Sequence, residues 1–275
     1  MKTRKDILSS FLWSVVWISA AVTAISFVGI VSYILIKGIP HITPSLFAWK
    51  YTTENVSLMP ALINTLEMTV LALIVAVPLG IGASIYMAEY AKRGNRLVKV
   101  VRITAETLSG IPSIVYGLFG SLFFVKALHM GLSLISGALT LAIMILPLIM
   151  RTAEEALQAV PDSYREGSFG LGAGRLRTVM KVVLPSAIPG ILSGIILGIG
   201  RIVGESAALI FTAGTVAEVA TSLFDSSRTL AVHMYTISGE GLYIGQTYAT
   251  AVILLLIVIV INGLSALVAK KLERK

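Results

Sequence analysis

Residues 160–185 read VPDSYREGSFGLGAGRLRTVMKVVLP and lie between two apolar runs, Leu132–Met150 and Ile188–Phe211. This stretch is more than a connector. Val160-Pro161-Asp162-Ser163 is a helix-start signal, with Ser163 as the expected N-cap and Glu166 three residues on. Gly170, Gly172 and Gly174 then break the helix. A basic stretch from Arg175 to Lys181 follows and ends at Leu184-Pro185. Residues 151–187 therefore read as helix, glycine turn, helix and proline, leading into an apolar span. A loop lying flat on lipid headgroups is the plainer alternative. A capped helix followed by a glycine break instead describes a compact projecting element.

Four more apolar runs flank this core: Phe11–Ile36, Ala61–Met87 with Pro78 inside, Ser109–Val125, and Gln246–Ala269. Of the 275 residues, 56% are hydrophobic and 13% charged, and the mean hydropathy is +0.89. A soluble domain carries about 25% charged residues. Six spans of about 20–25 residues would use nearly all of the apolar residues. The balance excludes a soluble enzyme, a disordered chain and a collagen-like fibre. The absence of cysteine excludes a disulfide scaffold and a cysteine-ligated metal site. No ten-residue alternation marks β-barrel strands. The first run is too long for a signal peptide and lacks a small-residue cleavage site, so it is expected to stay as an anchor. The expected fold is an all-α polytopic membrane protein with six transmembrane helices, residues 1–275 forming one domain.

The charges orient these spans. With the first residues inside, the inside segments hold Lys2, Arg4, Lys5; Lys92, Arg93, Arg96, Lys99, Arg102; Arg151, Arg165, Arg175, Arg177, Lys181; and Lys270, Lys271, Arg274, Lys275. That is 17 of 22 basic residues. The outside segments hold only Lys37, Lys50, Lys126 and Arg228. This asymmetry is a positive-inside signal that places both ends in the cytoplasm. It accounts for nearly all of the +8 net charge without invoking nucleic acid. Two outside segments, 37–60 and 213–245, are long enough to fold locally, and the second has room for a short helix or re-entrant piece. Asn55-Val56-Ser57 reads as a chance glycosylation match. His41, His129 and His233 are scattered outside and read as loop residues rather than a metal site.

In detail, the projecting element resembles the cytoplasmic loop of membrane subunits of bacterial ABC importers. Their motif is E-A-A, three residues, G, nine residues, I-x-L-P. Here it appears as Glu166-Gly167-Ser168, Gly172, Val182, Leu184 and Pro185, with the spacing kept and small or β-branched replacements at Gly167, Ser168 and Val182. Residues 110–120, GIPSIVYGLFG, and 201–213, RIVGESAALIFTA, are similar to permeases of phosphate-specific importers, the second most like the PstA-type subunit. The resemblance implies an ABC importer type I permease fold in a bacterial inner membrane. It implies a partner permease of the PstC type, a cytoplasmic ATPase dimer, an extracytoplasmic phosphate-binding protein, and inorganic phosphate as cargo. It also implies that the 151–187 loop is a coupling loop. Its ATPase contact would involve Ser163, Glu166, Gly167, Ser168, Gly172, Val182, Leu184 and Pro185.

Arg201 stands inside an apolar run, where a charge costs about 2.5–3.5 kcal/mol on insertion scales. Glu205 follows four residues later, which on one continuous helix puts both on one face. A self-neutralising pair that fixes packing is one reading. The other is chemical: guanidinium is a planar fork that binds phosphate oxygens in pairs, and Glu205 would temper its hold so that the ion can leave. The family's transport-linked arginine and glutamate fall on these two positions. Glu67, in the second span, is expected either to pair with Arg201 or to face water. Glu106 is expected to pair with Arg102. Glycines at 190, 194 and 198 repeat every four residues, a spacing that lets a neighbouring helix come close.

No G-x-x-x-x-G-K-[ST] occurs, and Gly170-x-Gly172-x-Gly174 lacks the following Gly-Lys, so ATP and its magnesium are expected on a separate ATPase and no cofactor on this chain. No G-x-S-x-G or H-E-x-x-H appears either, which argues against an intramembrane enzyme. The remaining alternatives are a permease for another anion or solute, and a stand-alone secondary transporter or channel. An uncharged cargo gives no reason for Arg201, and a stand-alone carrier gives none for the Glu166–Pro185 element.

Overall fold

The structure, a computed structural model, describes residues 4–92 and 94–273. Lys2, Arg93, Arg274 and Lys275, counted above among the inside cations, lie outside the described residues. The regular structure among the described residues is helical. Five runs are long and apolar enough to cross a membrane: Ser9–His41, Met59–Tyr90, Leu134–Gln158, Arg175–Val203 and Ile244–Leu264. They fall on α1 (Arg4–Gly38), α2 (Met59–Ile85), α5 (Leu134–Gln158), α8 (Leu184–Val203) and α11 (Ile244–Glu273), of which α1 begins before its run and α11 continues past its own.

The sixth expected span is broken. α3 (Arg96–Ser109) meets the run Ser113–Ala127, which opens as α4 (Ser113–Gly120), at 104°. The corner falls at Gly110-Ile111-Pro112, where Pro112 disfavours helical backbone at the residue before it. The crossing piece therefore starts at Ser113, not Ser109 as the apolar pattern suggested. α3 is two-sided. Val98 and Ala105 are buried, whereas Leu97, Val100 and Ile103 are exposed.

α5 is the central helix. Leu141, Met144, Ile145 and Ile149 are fully enclosed by Met68, Ala72 and Ala76 of α2, Tyr116 of α4 and Ile202 of α8. α1 contributes no buried residue to its apolar stretch and packs against α11. A helix start leaves free N–H groups that must find acceptors. At α5, the Ser133 hydroxyl caps Ser136 N, and the N–H groups of Ser133, Leu134 and Ile135 donate to the carbonyls of Thr212, Asp225 and Leu223. The segment after α8 thus seals the top of the central helix. α9 (Ala207–Ile210) and α10 (Leu230–Glu240) lie in it, so the 213–245 segment does carry the short helix expected of it.

Between α5 and α8 lies the projecting element: α6 (Asp162–Gly170), a turn, and α7 (Arg175–Thr178). α7 runs through a wider turn at Val179–Val183 straight into α8, and Pro185 sits at the start of α8. The expected stop at Leu184-Pro185 does not occur, because the wider turn at Val179–Val183 directly before the proline loosens the hydrogen-bond ladder where Pro185 has no N–H to give, and the helix runs on.

The glycine repeat fixes how close α8 comes to α5. A Cβ at Gly194 would strike the Thr152 side chain, and one at Gly190 would come 2.6 Å from Ala156 Cβ. Gly200, by contrast, has nothing within 4 Å of such an atom. Gly194→Leu is expected to cost about 1–3 kcal/mol through overpacking, read as a lower melting temperature of the chain in detergent. Gly200→Leu should leave the melting temperature nearly unchanged.

Candidate functional site

The projecting element is held by one arginine. Arg165, on α6, donates through Nη2 to Glu89 Oε1 at 2.6 Å and to the Leu157 carbonyl at 2.9 Å, and through Nη1 to the Val160 carbonyl at 2.7 Å. Glu89 lies in the wider turn Tyr86–Tyr90 that extends α2, and is buried. Its hydrogen bond, more than any other contact, holds the Arg165 guanidinium even more firmly protonated. One side chain therefore ties α6 to α2 and to the end of α5. The sequence reading counted Arg165 only as a topology charge and missed Glu89. Their separation of 76 residues left no local signal.

Several motif residues stand differently from expectation. Pro161, not Ser163, is the N-cap of α6, and no side chain caps it, so Ser163 and Glu166 form no capping box. Both are exposed. Gly167 is exposed too, while Ser168 shares a 2.8 Å hydrogen bond with Thr178 that braces α6 on α7. Gly172 turns the chain with φ +81°, a conformation in which glycine carries no steric penalty. The neighbouring apolar side chains are bare. Leu171 is 92% exposed, and Tyr164, Phe169 and Leu176 are exposed beside it. At the root of the element, Val182 is half-buried and Pro185 exposed. Half-buried Leu184 and fully buried Val183 pack against Ala153, Leu157, Ala187 and Ile191. A cleft of about 850 Å³ opens alongside, lined among others by Glu89, Lys99, Arg102, Arg165 and Arg175. Arg102, expected to pair with Glu106, instead reaches Glu154 of α5. The bend after α3 directs the helix against α5.

The apolar run 188–211 is not one helix. α8 ends at Val203, with Gly204 as its C-cap. Arg201 is therefore in the last turn rather than mid-helix, where the free carbonyls of the helix end favour a cation. Glu205 lies beyond that end. It is 92% buried, and its Oε1 accepts from Ala208 N at 3.0 Å, closing the start of α9. Arg201 and Glu205 make no ion pair, because the helix that would have aligned them stops between them. Glu67 of α2, half-buried, does not pair with Arg201 either. Among the described residues the partly exposed Arg201 guanidinium has no hydrogen-bonded or ionic partner. Glu205, Glu67 and Arg201 are thus not joined by ion pairs among the described residues. A hollow of about 410 Å³ follows the break, lined by Ile210, Thr215, Tyr235, Thr236, Ser238 and Gly239.

Residues 80–274 match the family model described as the inner membrane component of binding-protein-dependent transport systems. This chain belongs to that family. As a permease subunit it is 35% identical over 243 residues to the probable ABC transporter permease protein YqgI of Bacillus subtilis, covering 81% of each. It is 31% identical over 211 residues to the phosphate transport system permease protein PstA 1 of Mycobacterium tuberculosis, covering 76% of this chain and 69% of that one. Its fold is similar to a chain of a bacterial ABC transporter involved in the import of the acidic polysaccharide alginate. There the TM-score is 0.65 at 16% identity, over 95% of this chain and 97% of the other.

At the end of the permease opposite to α6, a buried asparagine locks the connections. Asn64 Nδ2 donates to the carbonyls of Glu218 and Arg228, and its Oδ1 accepts from Ala220 N at 3.0 Å. Thr65 accepts from Leu230 N at 2.8 Å, one turn into the same helix. His233 of α10 is fully buried here, not the loop residue its surroundings in the sequence suggested. Burial, then the Arg228 charge, push its pKa down to about 3, and the Val56 backbone carbonyl offsets this only in part.

Two outcomes follow from these contacts. Arg165→Ala leaves Glu89 buried and unpaired, which is expected to cost about 3–5 kcal/mol. Glu89→Gln together with Arg165→Ala should recover part of that loss in a thermal double-mutant cycle. The unfolded His233 ring takes a proton near 6.5 and the folded ring only near 3. Between those values the unfolded state binds more protons, so stability is full above about 6.5 and falls as the pH drops toward 3. His233→Phe should flatten that part of the melting-temperature profile.

Proposed function

We propose that this permease forms half of the translocation path of an ATP-driven importer of inorganic phosphate. The observation that carries the reading is Arg201: a half-exposed guanidinium at the end of α8, in the last turn, with no counter-charge among the described residues. A cation kept unpaired at depth is worth its insertion cost when an anion passes it. The helix end beside it adds partial negative charge that weakens the hold, the role expected earlier of Glu205. Glu205 serves instead by fixing the break that ends α8, and Glu67 borders the route from α2. The likeness to PstA 1 supports phosphate as the anion.

Coupling runs through the projecting element. Glu166, Gly167 and exposed Leu171, backed by Gly172, form the contact with a cytoplasmic ATPase, and Ser163 begins it. The ATPase subunits bind ATP and magnesium, and this chain supplies no cofactor. Displacement of α6 passes through Arg165 to Glu89 on α2, and through Ser168, Thr178, Val182, Leu184 and Pro185 into α8, which carries Arg201 at its far end. A PstC-type permease completes the path. The exposed apolar side of the run Ser113–Ala127, with Leu118, Phe119 and Leu122, suits that contact. An extracytoplasmic phosphate-binding protein meets the end of the bundle that Asn64 locks. The first and last described residues then both face the cytoplasm of the bacterial inner membrane.

Arg201→Gln is expected to abolish phosphate uptake in cells or proteoliposomes while the complex still assembles. Normal uptake would remove the pathway role. Leu171→Asp and Glu166→Lys should lose the ATPase on gentle purification, with uptake falling in parallel. Retention of a P-loop ATPase by both variants would overturn the docking assignment.

A further inference from the structure

Arg228 immediately precedes the cap of α10, in the segment locked by Asn64, and is only 4% exposed. Its backbone is committed. The N–H donates to the Val216 carbonyl at 3.0 Å, and the carbonyl accepts Asn64 Nδ2 at 3.3 Å. Its side chain is not. Nε and Nη2 have no hydrogen-bond partner, and among the described residues no carboxylate pairs with the guanidinium. Tyr51 lies over the guanidinium, its ring centroid 4.6 Å from Cζ. That stacking occupies the flat face and leaves the edge unused. Nε–H and Nη2–H share one edge of the guanidinium plane, the two-pronged side that meets two oxygens of a single oxyanion.

The surroundings repeat the deficit. Ser227 and His233 are fully buried; Ser227 Oγ lacks a partner, and the His233 ring nitrogens make no hydrogen bond of good geometry, although the Val56 carbonyl lies near the ring. The His233 ring stands edge-on to the same Tyr51, at 6.1 Å and 88°. Burial first and the Arg228 charge second keep His233 neutral, so the cluster carries one positive charge, with a ring that offers one donor and one acceptor. A buried polar group without a partner is rare, and here Arg228 and His233 share one aromatic ring while Ser227 adjoins Arg228 in the chain. Tyr51 belongs to the segment between α1 and α2, where Val56 is held at φ +45°, a conformation that β-branched residues avoid.

The geometry points to an oxyanion subsite at this end of the permease, in which Arg228 presents a side-on fork and Ser227 and His233 add hydrogen bonds to a tetrahedral inorganic anion of the phosphate–sulfate class. It lies on the entry side of the route to Arg201. The choice of anion rests on the phosphate-import reading.

The full chain in nanodiscs, carrying Arg201→Gln to silence the other cation, is titrated with phosphate, sulfate and chloride. Hydrogen exchange of residues 50–58 and the melting temperature are followed. Phosphate and sulfate are expected to slow exchange in this segment and to raise the melting temperature. Arg228→Lys keeps the charge but loses the fork, and should weaken the apparent affinity about tenfold or more. Ser227→Ala should weaken it less and keeps the test open if the lysine variant misfolds. Equal protection by chloride, no protection by any anion, or unchanged affinity in both variants would overturn the subsite. Phosphate uptake by the unsubstituted importer is measured separately. Uptake without protection at 50–58 removes the subsite alone. Protection without uptake removes the cargo assignment and leaves the subsite standing.

Discussion

Hydrocarbon offers no hydrogen bonds, so a helix that stops within a membrane protein must find partners for its free backbone groups inside the protein or in water. α8 stops at Val203, and the rest of the architecture answers that stop. Glu205 closes the start of α9, and the Thr212 carbonyl takes the first N–H of the central helix. Ala213 and Leu209 then join Met68 and Leu141 in the core. Close backbone approach completes the seal: a Cβ on Gly117 of α4 would lie 2.8 Å from Ala208 Cα. The break is therefore walled by protein on the core side, and only the side carrying Arg201 remains half open. A buried carboxylate used as a backbone cap is fixed in place, which is why Glu205 is not free to follow the arginine.

The same economy governs the opposite end. α6 has no buried residue of its own, so nothing in its packing would hold it. Arg165 does so with charge-assisted bonds to one carboxylate and two carbonyls, contacts stronger than neutral ones. A small helix attached by a few strong polar bonds keeps its place without a core of its own. The absence of a stop at Pro185 matters too, because α7 continues into α8, the helix whose last turn carries Arg201.

Apolar periodicity and the distribution of charge made the class of fold, the helix count and the projecting element legible. They failed where the backbone changes direction inside an apolar run. Ser109–Val125 and Ile188–Phe211 are uniformly hydrophobic, so hydropathy does not mark the corners at Pro112 and Gly204, although both carry a residue that permits one. Pairing over long separations was equally hidden. Arg102 reaches Glu154 and Arg165 reaches Glu89 because helices from distant parts of the chain meet, and a spacing of four residues offered the nearer but wrong partner in both Arg102–Glu106 and Arg201–Glu205. The motif spacing from Glu166 to Pro185 located the element correctly, yet gave no hint that its barest side chain would be Leu171.

The arginines divide according to the company they keep. Near the projecting element Arg102, Arg151 and Arg165 each face a carboxylate, whereas Arg96, Arg175 and Arg177 are exposed, Arg175 lying over the Tyr90 ring. Arg201 and Arg228, both far from that end, have no carboxylate partner among the described residues. Burying an unpaired cation costs several kcal/mol, and helix-end carbonyls or a stacked ring offset only part of this. A chain that needed these charges for packing alone could have settled them as it did the others, since Glu205 and Glu67 are available on neighbouring elements. That both acids stand elsewhere leaves two cations without a carboxylate partner among the described residues, and the proposed function and the proposed subsite would each supply one with a passing anion.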